Sequence, residues 1–134
     1  MNPRPLTVTP GTMLAEAKAI MQRYWVRHLP VAEGEVLVGM LSDRDIRMAS
    51  LPPGPGHTDA EREARLGRVA VRDAMTQDPR TVGPDAPLLD VARFMLEHRF
   101  GGVPVLDGGR LVGIITETDI LRAFIKMVEG AGAT

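Results

Sequence analysis

Two short stretches carry a hydroxyl and a carboxylate at the same spacing, Ser42-x-x-Asp45 and Thr116-x-x-Asp119, each directly after an apolar run. At a helix start this pattern has two chemistries. The hydroxyl can accept from an orphan backbone N–H of the first turn, while the aspartate favours the positive end of the helix dipole. Alternatively, free N–H groups at a helix start receive phosphate, and an aspartate one turn in can accept both hydroxyls of a ribose. The roles are compatible, because the same hydroxyl can cap the helix while no ligand is bound. Other chemistries find little footing. There is no cysteine, and no Ser-His-Asp order, H-E-x-x-H or P-loop occurs. The paired aspartates sit at equivalent positions and do not resemble an acid and a base in separated environments. His28, His57 and His98 are scattered without a carboxylate frame, which speaks against zinc. The chain is therefore expected not to be an enzyme and to need no catalytic cofactor.

The elements that must position these residues are repeated. A shift of 74 positions, the separation of Gly39 and Gly113, matches Thr7-Val8 to Thr81-Val82, Leu14 to Leu88, Met21 to Met95 and Pro30-Val31 to Pro104-Val105. It also matches Leu37-Val38-Gly39 to Leu111-Val112-Gly113 and Asp45-Ile46 to Asp119-Ile120, with no gap. Each copy opens with an extended Thr-Val and a turn at Pro10-Gly11 or Pro84-Asp85. Apolar residues at 14, 17, 21 and 24, and at 88, 91 and 95, then predict a one-faced helix. Turn residues Glu33-Gly34 and Asp107-Gly108-Gly109 predict hairpins into Val36–Leu41 and Leu111–Ile115, strands apolar on both faces and expected to be buried. A second helix follows each hydroxyl. The unit is β-α-β-β-α and the class is α/β.

Pro52-Pro53-Gly54-Pro55-Gly56 stops the second helix of the first unit, and Thr58-x-x-Glu61 predicts a capped, short polar helix through Leu66. The chain divides as a first unit over 1–58, a linker with a short helix over 59–74 and a second unit over 75–134. The 74-residue shift sets Met1 on Met75, leaving Val71-Arg72-Asp73 without a counterpart.

Two such units in tandem, each with a Thr-Val lead-in, an apolar-Pro-Val turn into a strand and an apolar-Gly run ending in [Ser/Thr]-x-x-Asp, resemble a pair of cystathionine β-synthase (CBS) domains, a Bateman module. Within that family, Leu41-Ser42-Asp43-Arg44-Asp45-Ile46-Arg47 and Gly113-Ile114-Ile115-Thr116-Glu117-Thr118-Asp119-Ile120-Leu121 are similar to the CBS pair of acetoin-utilisation-type proteins. The resemblance covers nearly the whole chain. It implies two units related by a pseudo-two-fold axis, paired as a homodimer into a disc of four units. It further implies a regulatory adenosine nucleotide, AMP, ADP or ATP, held in the cleft between repeats.

Carried onto this sequence, the resemblance places Thr7, Val8, Thr12, His28 and Leu29 with Thr116 and Asp119 in one site. Thr81, Val82, Gly102 and Val103 go with Ser42 and Asp45 in the other, and Ile115 precedes the Thr116 hydroxyl. Adenine would lie against the apolar pre-proline segments, where a few backbone groups read its edge. Arg27 and His28 correspond to a basic pair that reaches phosphate in the γ subunit of AMP-activated protein kinase, whereas the second unit has Gly101-Gly102 there. Arg44 and Arg80 are secondary phosphate candidates. The runner-up readings are a binder of S-adenosylmethionine or NAD(H), and a nucleotide-free scaffold for protein or RNA with Met48, Phe124, Ile125 and Met127 as its apolar patch.

Composition sets the outer limits. The chain has 134 residues, 44% of them hydrophobic and 25% charged, which suits one compact, globular body. Sixteen Lys+Arg against seventeen Asp+Glu leave a net charge of -1, so no bulk field recommends DNA or an anionic membrane as partner. The absence of cysteine and of an apolar leader fits a reducing cytoplasm. The regulated protein is not named by any residue.

Overall fold

A computed structural model describes residues 6–51 and 56–131. In chain order the elements are α1 (Leu14–Tyr24), β1 (His28–Glu33), β2 (Val36–Ser42), α2 (Asp43–Ala49), α3 (Asp59–Leu66), β3 (Thr76–Gln77), α4 (Leu88–His98), β4 (Gly102–Asp107), β5 (Arg110–Thr116) and α5 (Glu117–Ala131). Among the described residues they form two compact units, 6–79 and 80–131, and the fold is mixed α/β with two sheets.

In the first unit β1 and β2 pair antiparallel, with His28 opposite Ser42 and Leu29 opposite Leu41. Gly34 makes the tight turn with φ 63°, a left-handed conformation that glycine adopts without steric cost. The register slips between Val31 and Ala32, and there the lead-in segment joins. Val8 N–H donates to Pro30 O (3.1 Å) and Ala32 N–H donates to Val8 O (2.9 Å), a parallel bridge of one residue. A proline at 30 has no N–H for the next rung, so the lead-in stays a single bridge instead of growing into the strand that the sequence suggests.

Leu14, Ala17 and Met21 of α1 are buried against Leu29, Val31, Leu41 and Ile46, as the helical spacing predicts. Tyr24 departs from it, half exposed at the last residue of α1. β2 is buried only over Gly39–Leu41, since Val36 is exposed and Leu37 and Val38 are half-buried.

Two additions escaped the sequence reading. β3 joins the sheet antiparallel to β2, with Gly39 opposite Gln77 and Met40 opposite Thr76. It fits because Gly39 has no side chain, and a Cβ there would stand 2.5 Å from Met75 Sδ and 2.9 Å from Thr76 O. The second addition is the docking of α3 on α1. Thr58 caps α3 through Glu61 N–H (3.1 Å), Leu66 is buried in the first core, Lys18 pairs with Glu63, and Arg65 Nε–H donates to Ala49 O (3.0 Å). The chain leaving α3 is then stitched down by Leu14 N–H to Val69 O (2.9 Å) and Val71 N–H to Thr12 O (2.8 Å).

The second unit repeats the hairpin. β4 pairs with β5, Gly102 lies opposite Thr116, the slip falls between Val105 and Leu106, and Val82 bridges Val105. Its core is smaller, built on Val91, Met95 and Val103. β5 is buried only at Gly113, and α5 buries no residue fully although fifteen residues long. Leu121, Phe124, Ile125, Met127 and Val128 of α5 are exposed.

Candidate functional site

The Ser42 and Asp45 pair stands where β2 runs directly into α2. Ser42 keeps an extended backbone (φ -111°, ψ 163°), so its Oγ reaches forward to accept from Asp45 N–H at 3.1 Å. In return Asp45 Oδ2 accepts from Ser42 N–H at 2.8 Å, completing a reciprocal cap. Asp43 N–H donates to Arg27 O at 2.9 Å. The helix start expected to offer free N–H groups thus has those of Asp43 and Asp45 already engaged. Oδ1 of Asp45 carries no hydrogen bond among the described residues.

The second unit builds the same corner with one change. Asp119 Oδ2 accepts from Thr116 N–H at 2.8 Å and also from the Thr116 hydroxyl at 3.1 Å, while Asp119 N–H reaches Thr116 Oγ1 only at 3.4 Å. Here the hydroxyl spends its proton on the carboxylate, so the cap to the backbone is the longer contact. Glu117 N–H donates to Gly101 O at 3.1 Å, matching the Asp43 bond one repeat earlier.

The other candidates divide by what they expose. Leu29 and Val103 are fully buried and Val8 nearly so, with side chains in the core of their own unit, so what these positions present is backbone. Val82 and Ile115 are half-buried and pack on the second core. Thr7, Thr81, Arg44 and Arg80 are exposed, and Gly102 is half-buried. Thr12 shares a 3.0 Å contact with the Thr9 hydroxyl and accepts from Thr9 N–H (3.2 Å), which fixes the turn before α1. His28 opens β1 across from Ser42 and is half-buried.

Arg27 is differently placed. It lines a cleft of about 570 Å³ formed by α1, α2 and α3, whose lining includes Asp43 and Arg47 of α2 and Arg62 of α3 but not His28, Ser42 or Asp45. Sequence reasoning missed this cleft because its third wall comes from α3, which no periodicity ties to α1. Among the described residues no three His, Asp or Glu side chains gather to hold a metal ion, and no helix is long and apolar enough to cross a membrane.

The model of the CBS domain matches residues 1–52 and 71–126, once for each repeat. The chain belongs to the CBS domain family. A CBS domain-containing protein from Dictyostelium discoideum is 32% identical over 131 residues, covering 96% of this chain and 90% of that protein. Among solved structures, one described as an acetoin utilization protein (AcuB) from Vibrio cholerae superposes with a TM-score of 0.80 at 28% identity, covering 100% of this chain and 93% of the other. CBSX2 in complex with AMP superposes at 0.76 with 31% identity over 95% and 93% of the two chains. The CBS domain pair of protein MJ0100, in complex with 5′-methylthioadenosine and S-adenosyl-L-methionine, gives 0.75 at 29% identity over 92% and 90%. The fold is that of a CBS pair, and as such the chain is a regulatory module.

Proposed function

We propose that this CBS pair senses adenosine nucleotides of the AMP, ADP and ATP class and has no catalytic role of its own. The observation that carries this reading is the carboxylate left half-used at both corners. Oδ2 of Asp45 and of Asp119 holds the turn, while Oδ1 has two lone pairs without a partner among the described residues. A vicinal diol supplies two donors at the spacing such an oxygen can accept. The backbone of Leu29–Pro30 and Val103–Pro104 offers apolar-flanked groups to an adenine edge, and the AMP complex of CBSX2 supports the ligand class.

Arg44 and Arg80 are the cations proposed for phosphate, with His28, Thr7, Thr12 and Thr81 as further donors. Arg27 belongs to this set only if its side chain leaves the helical cleft that it lines. S-adenosylmethionine is the second reading, supported by the ligands of the MJ0100 pair. Calorimetric titration with AMP, ADP, ATP, S-adenosylmethionine and NADH tests both. Saturable heat with a nucleotide and none with the sulfonium establishes the first, the reverse establishes the second, and no heat with any of them leaves a scaffold. The exposed helix faces bearing Met48 of α2 and Phe124 and Met127 of α5 are proposed as the seam of a homodimer.

A further inference from the structure

The helical side of the first unit carries a second feature, remote in chemistry from the Ser42 and Asp45 corner. The cleft between α1, α2 and α3 has an apolar floor of Met21, Ile46 and Leu66, each at most 5% exposed. Its charged rim is unevenly matched. Lys18 is taken by Glu63, whereas Arg27, Arg47 and Arg62 make no ion pair among the described residues. Asp43 lies four residues before Arg47 and Asp59 three before Arg62, the spacings at which helical charges meet, yet neither pair closes to salt-bridge distance. Three guanidinium groups thus face two carboxylates around a greasy floor.

The chain beside this cleft is equally unusual. Trp25 is 93% exposed and Tyr24 49%, with the Arg23 guanidinium 5.5 Å from the Tyr24 ring centre. Trp25 directly precedes Val26 of the cleft lining, so their Cα atoms are one step of about 3.8 Å apart, and Arg27 follows one residue later. Its backbone is left-handed (φ 57°), a conformation that costs a bulky residue about 1–2 kcal/mol and here ends α1. An indole held in water by a strained turn next to unpaired arginines has the make-up of an interface centre, where Trp, Tyr and Arg carry most binding energy.

We propose that this cleft docks an acidic peptide segment of a partner protein, one large apolar side chain entering over Met21, Ile46 and Leu66 while its carboxylates meet Arg27, Arg47 and Arg62. A carboxylate fits the planar fork of arginine with two parallel bonds. Asp43 and Asp59 decide between polyanions. They oppose the unbroken charge of a nucleic-acid backbone, whereas a peptide can set its carboxylates singly and leave gaps opposite them. Apart from Arg27, a candidate in both, the site shares no residue with the nucleotide reading, and none of Ser42, Asp45, Thr116 or Asp119 lines it.

Trp25 is the chain's single tryptophan and stands one residue before the cleft-lining Val26, so its emission is the probe nearest the cleft. A synthetic peptide of glutamate and leucine, titrated into the whole protein, is expected to shift Trp25 emission to shorter wavelength with saturation. Arg47→Glu and Arg62→Glu together should weaken that binding at least tenfold, as loss of a central charged contact does. Both side chains are exposed, so far-UV dichroism and melting temperature should stay at parent values, and Arg47→Ala with Arg62→Ala provides a milder pair expected to weaken binding in the same direction. The proposal is overturned if the peptide gives no saturable shift, if a lysine and leucine peptide binds equally well, or if charge reversal leaves affinity unchanged. It is also overturned if heparin matches the acidic peptide, or if the emission shifts with protein concentration alone, which would assign the cleft to a second copy.

Discussion

Asp119 has two jobs in the proposed mechanism, and a pair of substitutions separates them. In the structure its Oδ2 takes the Thr116 N–H at 2.8 Å and the Thr116 hydroxyl at 3.1 Å; the proposed function gives Oδ1 to ribose. Asp119→Ala removes everything. Loss of a helix-start acceptor costs about 1 kcal/mol, which lowers the melting temperature of a chain of 134 residues by about 4 °C when it melts as one body. Losing charge-assisted bonds to two hydroxyls costs about 1.5–3 kcal/mol each, so AMP affinity should fall by well over tenfold. Asp119→Asn keeps one oxygen, which can still take the Thr116 N–H, but replaces the other by an NH2 group that cannot accept. Stability should therefore stay within a few tenths of a kcal/mol of the parent, while affinity falls nearly as far as in the alanine variant. Calorimetry with AMP and a thermal melt of each protein measure the two orders. If Asp119→Asn binds AMP like the parent, or if affinity follows melting temperature across the three proteins, the carboxylate is a cap alone and the ribose assignment fails.

Asp45→Ala should act on a separate site, so a titration that shows two sites in the parent should show one in either single variant; two remaining sites would contradict the assignment. Gly39→Ala should destabilise the first unit by about 1–3 kcal/mol in urea, because the added Cβ meets a backbone carbonyl at 2.9 Å as well as a movable methionine sulfur. Trp25→Gly should raise stability by about 0.5–1 kcal/mol through relief of the left-handed turn, net of glycine's greater chain entropy, and a loss of stability would show that the indole packs in solution. Phe124→Glu should turn a dimer into a monomer by light scattering if α5 is the seam, and a parent that already runs as a monomer sinks that proposal.

The hairpins and second helices were legible because their signals are local. Gly34 and Gly108 stand at the turns with positive φ, and the hydroxyl-to-aspartate spacing marks the helix starts that Ser42 and Thr116 cap. Helical spacing likewise found Leu14, Ala17 and Met21. What the sequence hid depends on partners far along the chain. β3 is two residues long, too short for any alternation, and its place is set by a missing side chain at Gly39. The burial of β2 and β5 was overestimated, since an apolar run gives no sign of which end the helices cover. Arg27 and His28 looked like one basic pair in sequence, yet Arg27 lies before the strand and lines the helical cleft, while His28 opens β1 opposite Ser42 and does not line it.

The short strand β3 puts the repeat in the sequence out of phase with the compact bodies of the structure. A gene duplicated at the 74-residue period and cut before Met75 would hand Thr76 and Gln77 to the second copy, although those residues hydrogen-bond to Gly39 and Met40 of the first. An expressed fragment that stops at Ala74 should therefore expose the edge of β2 and invite aggregation, whereas one that runs to Pro79 keeps that edge covered. The same offset bears on swapping repeats between relatives. A chimera joined after Pro79 transplants a finished sheet, and one joined at the sequence period leaves the host to supply both the strand and the side chain that lies over the bare Gly39.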